Sequence, residues 1–399
     1  MVAKRQAQRA KGMKRVLKWA GRGLLALVLA STVIGVWKRA EITRLYGVVT
    51  LFDQGNIVQN FSHMNDLFFN APMPRGDGPV SALPQGAPYE LTAAAQDWIV
   101  ARSVTGIVIL KDGQLGHESY YLGTGPDDLR ISWSLSKSFI ASLVGILLAD
   151  GTIDSIDAPL TQYAPELIGS AYDGATLRNV LQMSSGVNFN EDYLDFWSDI
   201  NRMGRVLALG GTLNGFAAGL NQHFAVPGTA WHYCSFDTHV LGMIIAGAAG
   251  RPVRELMAEK IMVPLGLEAA PYDLTDGAGV DFVIGGLNLR TRDYARFGQM
   301  IAQGGIWQGQ QIVPADWINA ATVPSAKTTA DEYGYGYQWW IPQGWEAGEF
   351  TGIGIYGQYI YINRRLNVVI AVNSADTGFE EPGAEHRNFD MIRAIANSL

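Results

Sequence analysis

The chain has 399 residues, 48% of them hydrophobic and 17% charged, too apolar for a disordered chain and ample for a sizeable core. Its net charge of −7 is split, because residues 1–45 carry eleven Lys/Arg and one acid, Glu41, a net of +10, against −17 for the remainder. An acidic body argues against a nucleic-acid partner, and a lone cysteine, Cys234, excludes an intramolecular disulfide and a thiolate metal site.

Eight of the basic residues, Lys4 to Arg22, precede Gly23–Trp37, fifteen residues without a charge. As a helix that run measures about 22 Å, short against a hydrocarbon core of about 30 Å. Trp19 and Trp37 suit the two interfaces, and Arg22 and Lys38 have the reach to snorkel. The preferred reading of residues 1–45 is a basic leader and signal anchor. It implies a single-pass, N-in/C-out protein of the bacterial inner membrane with a periplasmic body. A cleaved signal, giving a periplasmic or secreted protein, fits the length too, although no clean Ala-x-Ala site follows.

Residues 46–88 form an N-terminal segment that ends in a Pro/Gly-rich loop from 71 to 88. The body, 89–399, opens with a helix over Leu91–Val104 and strands from Gly106 to Tyr121, turning at Lys111-Asp112-Gly113.

Next comes Ser132-Trp133-Ser134-Leu135-Ser136-Lys137-Ser138-Phe139. Ser134 and Lys137 stand three residues apart, on one helix face, and no other serine here has a lysine at that spacing. A serine hydroxyl needs a group to take its proton, and a lysine does so only when burial or a neighbouring cation lowers its pKa. Phe139, Ile140, Leu143, Val144, Ile146, Leu147 and Leu148 leave almost no polar face, so the helix belongs inside the protein. Asp150-Gly151 ends it.

From Ser134 to about Asp281 the chain reads as mainly helical. Within it, Pro227-Gly228 leads into Trp231-His232-Tyr233-Cys234-Ser235 and an apolar helix from about Val240 to Ala249. Strands return at Gly334–Ile341 and Glu349–Asn373. The second of these holds Thr351-Gly352-Ile353-Gly354-Ile355-Tyr356-Gly357-Gln358 and turns near Asn363-Arg364-Arg365. A last helix starts near Ala384.

These three segments, in this order, resemble the serine β-lactamase and penicillin-binding-protein superfamily. Within it they are most similar to the class-C-like esterase and amidase branch and to its 6-aminohexanoate-dimer hydrolases. Thr176–Leu181, Gln182–Gly186, Asn190-Glu191-Asp192-Tyr193 and Gly285–Leu289 lie where that branch has matching segments. The resemblance covers roughly residues 55–398. It implies an α+β, transpeptidase-like fold, an antiparallel sheet flanked by helices with an inserted helical lobe and a site in the cleft between. It also implies a serine hydrolase, exported on the reading of the leader, that cleaves esters or linear amides through an acyl-enzyme. The alternatives are a D-amino-acid peptidase or weak β-lactamase near peptidoglycan, and an idle binding or sensing protein on the same fold.

Carried over by residue, the resemblance makes Ser134 the nucleophile, Lys137 its amine partner and Tyr233 the group that exchanges protons with the leaving group. The backbone N–H groups of Ser134 and Ile355 form the oxyanion hole. Ser235, Gly352, Gly354, Trp133 and Tyr356 become substrate-binding candidates, and the alternating glycines leave more than one register open. Where relatives have Lys-Thr-Gly or Lys-Ser-Gly this chain has Gly352-Ile353-Gly354, which removes a cation for a substrate carboxylate and demotes β-lactams. The aromatic residues Tyr193, Phe196, Trp197 and Trp231 are further pocket candidates. Tyr361-x-Asn363 repeats the tyrosine motif but sits in an alternating strand and reads as structural. There is no Gly-x-Ser-x-Gly elbow to support a triad through His232, no His-Glu-x-x-His pattern, and no implied metal or cofactor. The expected partners are a small ester or amide substrate and, through the anchor, the inner membrane.

Overall fold

The computed structural model describes residues 1–329 and 332–399. Helix α1 runs unbroken over Val2–Trp37, and Gly12–Trp37 is long and apolar enough to cross a membrane, with none of it buried against the body. Lys38 separates it from α2 (Arg39–Val49), which crosses the division expected at 45/46 and docks on the body.

The main sheet takes its strands from both ends of the body. β1 (Asn70–Pro72) belongs to a smaller sheet, while β2 (Val104–Lys111) and β3 (Gln114–Tyr120) form the hairpin expected around Asp112-Gly113. The small sheet is completed by β4 (Arg130–Ile131), β5 (Tyr272–Leu274) and β6 (Leu287–Leu289), in the order β1-β5-β6-β4. The chain returns through β7 (Gly334–Tyr335), β8 (Trp340–Ile341), β9 (Glu349–Gly354), β10 (Gln358–Asn363) and β11 (Val368–Ser374), giving an antiparallel order β3-β2-β11-β10-β9-β8-β7. Ile109 faces Ile370 across the β2–β11 seam.

Alternation along these strands feeds two cores. Val108, Leu110, Val369, Ala371, Ile360 and Ile362 point into the larger one, and Ile107, Ile109, Ile370, Val372, Tyr359 and Tyr361 into the smaller. The smaller is closed by α3 (Ala93–Ala101) and by the C-terminal helix, Ala384–Asn397, through Trp98, Phe389, Ile392 and Ile395. Tyr361, the second tyrosine of the right spacing, is buried there with its hydroxyl on Glu349 Oε1, 2.8 Å away.

The larger core surrounds α4 (Ser136–Ala149), where Phe139, Ile140, Leu143, Val144 and Leu147 are all buried. Gly145 lets the Trp317 indole lie against this helix, and Trp317 Nε1 donates to Ala141 O at 2.9 Å. The expected helix end is observed, with Asp150 as cap and Gly151 at φ +78°. The helical lobe between the sheet halves includes α5 (Asp199–Ala208) and α6 (Ser235–Ala249). Helix α6 begins five residues earlier than its apolar run suggests, because Glu191 Oε2 accepts the Ser235 N–H at 2.9 Å and satisfies the first turn.

Candidate active site

Three element boundaries converge at one point. Ser134 precedes α4, Ser235 opens α6, and Ile355 follows β9. The turn carrying Ser134 is strained, since Trp133 immediately before it has φ +45°, and Tyr356 immediately after Ile355 has φ +59°. Non-glycine residues in this region cost about 1–3 kcal/mol each and persist only where packing enforces them. Here the enforcement is aromatic. Phe52 stacks on Tyr356 at 4.6 Å between centroids, and Phe61 meets Trp133 at 5.5 Å.

Lys137 is buried, and its Nζ lies 2.6 Å from Ser134 Oγ, 3.1 Å from Ser235 Oγ and 3.2 Å from Ile284 O. Desolvation pushes its pKa down to about 8, with the Glu191 charge acting the other way. The hydrogen-bond inventory then fixes the direction of the lone pair on a neutral amine. Ile284 O only accepts. Ser235 gives its own proton to Glu191 Oε1 in a short bond, so towards Lys137 it accepts as well. Charged, Nζ donates to Ser134 Oγ; neutral, its free lone pair can take the Ser134 proton, which is the geometry a general base needs.

The Tyr233 ring lies beneath this amine, with Lys137 Nζ 5.2 Å from the ring centroid. Burial and the Glu191 charge raise the phenol well above its usual range, and hydrogen bonding to Ser134 and Ser235 offsets part of that rise. Trp340 stacks on the ring at 5.2 Å and Tyr335 meets its edge.

Glu191 is the residue that the sequence reading named only as part of a segment. It holds Ser235 through both oxygens and accepts from Tyr193 OH at 2.8 Å. The pairing spans 44 positions, and nothing in the local sequence signals it.

A cavity of about 660 Å³ opens beside Ser134. Trp133, Ser134, Ser235, Ile355, Tyr356, Tyr193 and Phe196 line it, whereas Lys137 and Tyr233 lie behind the serine and outside the lining. Among the described residues, Ser134, Asn201, Arg205 and Ser235 carry its only non-aromatic polar side chains. Two of these are occupied: Asn201 Nδ2 donates to Tyr193 O and Asp195 O at 2.9 and 2.8 Å, and Arg205 donates to Phe196 O at 2.7 Å.

Gly352 and Gly354 are not in the lining. A Cβ at Gly352 would stand 2.9 Å from Leu135 Cδ2, and one at Gly354 would stand 2.5 Å from Ser132 O. These glycines let β9 press against the turn that carries Ser134, so the expected contact with substrate becomes a close approach of backbone to backbone. Trp231 packs on Tyr335 and Trp340, and Trp197 is exposed. Among the described residues no three His, Cys, Asp or Glu side chains converge as a metal site requires.

Comparison with known proteins places these features. The beta-lactamase family profile matches residues 99–394. A 6-aminohexanoate-dimer hydrolase of Paenarthrobacter ureafaciens is 30% identical over 293 residues, 70% of this chain and 74% of that enzyme. A D-aminopeptidase of Cereibacter sphaeroides is 28% identical over 156 residues, 38% of this chain and 28% of its own. A solved Bacillus anthracis protein assigned as a 6-aminohexanoate-dimer hydrolase has the same fold, with a TM-score of 0.76 at 23% identity over 87% of this chain and 95% of the other.

Proposed function

The chain belongs to the beta-lactamase family of serine hydrolases, and from that premise and its site we propose that it cleaves carboxylic esters, and linear amides more slowly, through an acyl-enzyme on Ser134. The observation that carries this reading is the buried Lys137 Nζ held 2.6 Å from Ser134 Oγ. With Ile284 O and Ser235 Oγ both taking N–H bonds, the neutral amine receives the Ser134 proton as Oγ attacks the acyl carbon. Backbone N–H groups of Ser134 and Ile355 hold the oxyanion. Tyr233 relays the proton to the leaving alcohol or amine, and water, deprotonated by the same pair, releases the acid.

The cavity supports esters over β-lactams. Among the described residues Arg205 is its one lining cation, and that guanidinium is spent over the rings of Phe196 and Trp197 at 4.3 and 5.7 Å. A substrate carboxylate therefore meets no free positive charge near Ser134. The same reading keeps α1 as an anchor, with the basic leader inside and the catalytic body exported.

The test is kcat/KM for p-nitrophenyl butyrate, a linear 6-aminohexanoate dimer and nitrocefin, on the protein and on Ser134→Ala, with intact-mass detection of the adduct. The butyrate ester is expected to be fastest and to leave an acyl group on Ser134, and the variant is expected to be silent. Nitrocefin as the best of the three would replace this reading with a β-lactamase. Activity surviving in Ser134→Ala would remove the proposed nucleophile.

A further inference from the structure

The cavity beside Ser134 has two ends of different origin. The inner end holds Ser134, Ser235 and Ile355. Away from Ser134 the lining includes Leu45, Val48 and Val49 of α2 and Leu194 and Phe196 of the helical lobe. Residues 45–68 supply seven of its 26 lining residues, although they lie outside the segment that matches the family.

Helix α2 ties this outer end to α1. It is fixed to the body by Arg44, whose Nε donates to Ala208 O at 3.2 Å and whose guanidinium lies 4.1 Å over the Phe69 ring. Leu67 closes on Gly47, where a Cβ would stand 3.0 Å from Leu67 Cδ2. Only Lys38 intervenes between α1 and α2, so Val49 lies no more than about 18 Å from the end of the candidate span. The cavity mouth is thereby held next to wherever α1 leaves a bilayer.

The rim has the chemistry of that interface. Tyr46 is 69% exposed, Trp197 75% and Leu194 82%; helix α2 adds Arg39 and Arg44 against one acid, Glu41, while the segment bearing Leu194 and Trp197 carries Asp192, Asp195 and Asp199. Arg205 sits over the rim aromatics Phe196 and Trp197. Exposed aromatic and aliphatic side chains next to an exposed apolar helix suit the interfacial layer of a membrane.

We propose that this rim is seated on the bilayer that α1 spans, and that the cavity draws an apolar acyl chain out of it, so that the substrate is a membrane-resident long-chain carboxylic ester. The proposal rests on the serine-hydrolase reading above. The chain fills the cavity, the ester carbonyl reaches Ser134, and the C–O bond to the alcohol breaks as the Ser134 ester forms. Water then returns a free fatty acid and the serine hydroxyl.

The experiment uses the full chain reconstituted in phosphatidylethanolamine and phosphatidylglycerol vesicles, with p-nitrophenyl palmitate in the bilayer and p-nitrophenyl butyrate in solution. The double variant Tyr46→Glu/Trp197→Glu puts two charges on the rim, outside the cavity lining. It is expected to keep the butyrate rate within about twofold and to lose at least about tenfold on palmitate. Unchanged butyrate turnover also shows that the variant folds. If the unmodified protein turns over butyrate but not palmitate, or if the variant treats both alike, this proposal is wrong and the hydrolase reading stands. Inactivity towards both esters overturns the two together. Cys234 is buried, so Trp197→Cys gives a single accessible thiol. Efficient cross-linking between copies through it would assign the rim to a second copy and also overturn the proposal.

Discussion

A lysine takes a proton from serine only when it is itself neutral. With the Lys137 pKa at about 8, kcat/KM for an ester should rise about tenfold per unit of pH below that value and level off above it. Glu191 holds the charged form of Lys137 in place, so Glu191→Gln should move the inflection to lower pH. Lys137→Arg stays charged throughout and should lose about 10²–10⁴-fold. A flat profile between about pH 6 and 9, with Lys137→Arg active, would take the amine out of the mechanism. The Ser134–Lys137 pair was visible in the sequence because one helical turn carries both groups and the apolar residues after them announce burial. Glu191 was not, because its bond to Ser235 depends on how the lobe folds back over α6, and only the tertiary structure contains that information. Trp133 and Tyr356 were named as aromatics, but their left-handed backbone comes from packing against Phe52 and Phe61 and has no local signature.

Strand β9 sets the distance between the two proposed oxyanion donors. Gly354 lets it touch the turn at Ser132, and a methyl group there would push against a backbone carbonyl, which has little freedom to move. Gly354→Ala should therefore displace the Ile355 N–H and lower kcat by about 10²–10³, the usual loss for one such donor. Gly55→Ala, with no atom in reach of the added carbon, is the matched control and should be silent. Equal activity in the two variants would mean that Ile355 does not contribute. The strands themselves were legible as runs rich in β-branched and aromatic residues bounded by turns, and β2, β3 and β11 lie within those runs to about two residues. What alternation and helical spacing do not tell is what a face meets. Helix α2 was divided between the leader and the segment after it, yet its apolar side lines the cavity.

The whole chain divides into a basic, exposed N-terminal helix and an acidic hydrolase body, a polarity that predicts topology. An alkaline phosphatase fused to the C-terminus should be active in a bacterial host, and a green fluorescent protein exported by the general secretory route should be dark. The reverse pattern would place the body in the cytoplasm. Sequencing of the mature N-terminus is expected to find Met1 or Val2, and a start beyond Trp37 would mean that the anchor is cleaved. The seam of the main sheet carries a further consequence, for timing. β2 pairs with β11 across about 260 residues, so the sheet cannot close until nearly the full chain has left the ribosome. Ser134, Lys137 and Tyr233 are synthesised long before β9 brings Ile355 to them. On the proposed export of the body, a nascent chain held at the translocon is inert as a catalyst and still unfolded enough to thread through. A hydrolase of this design becomes active only once almost all of its chain has been made.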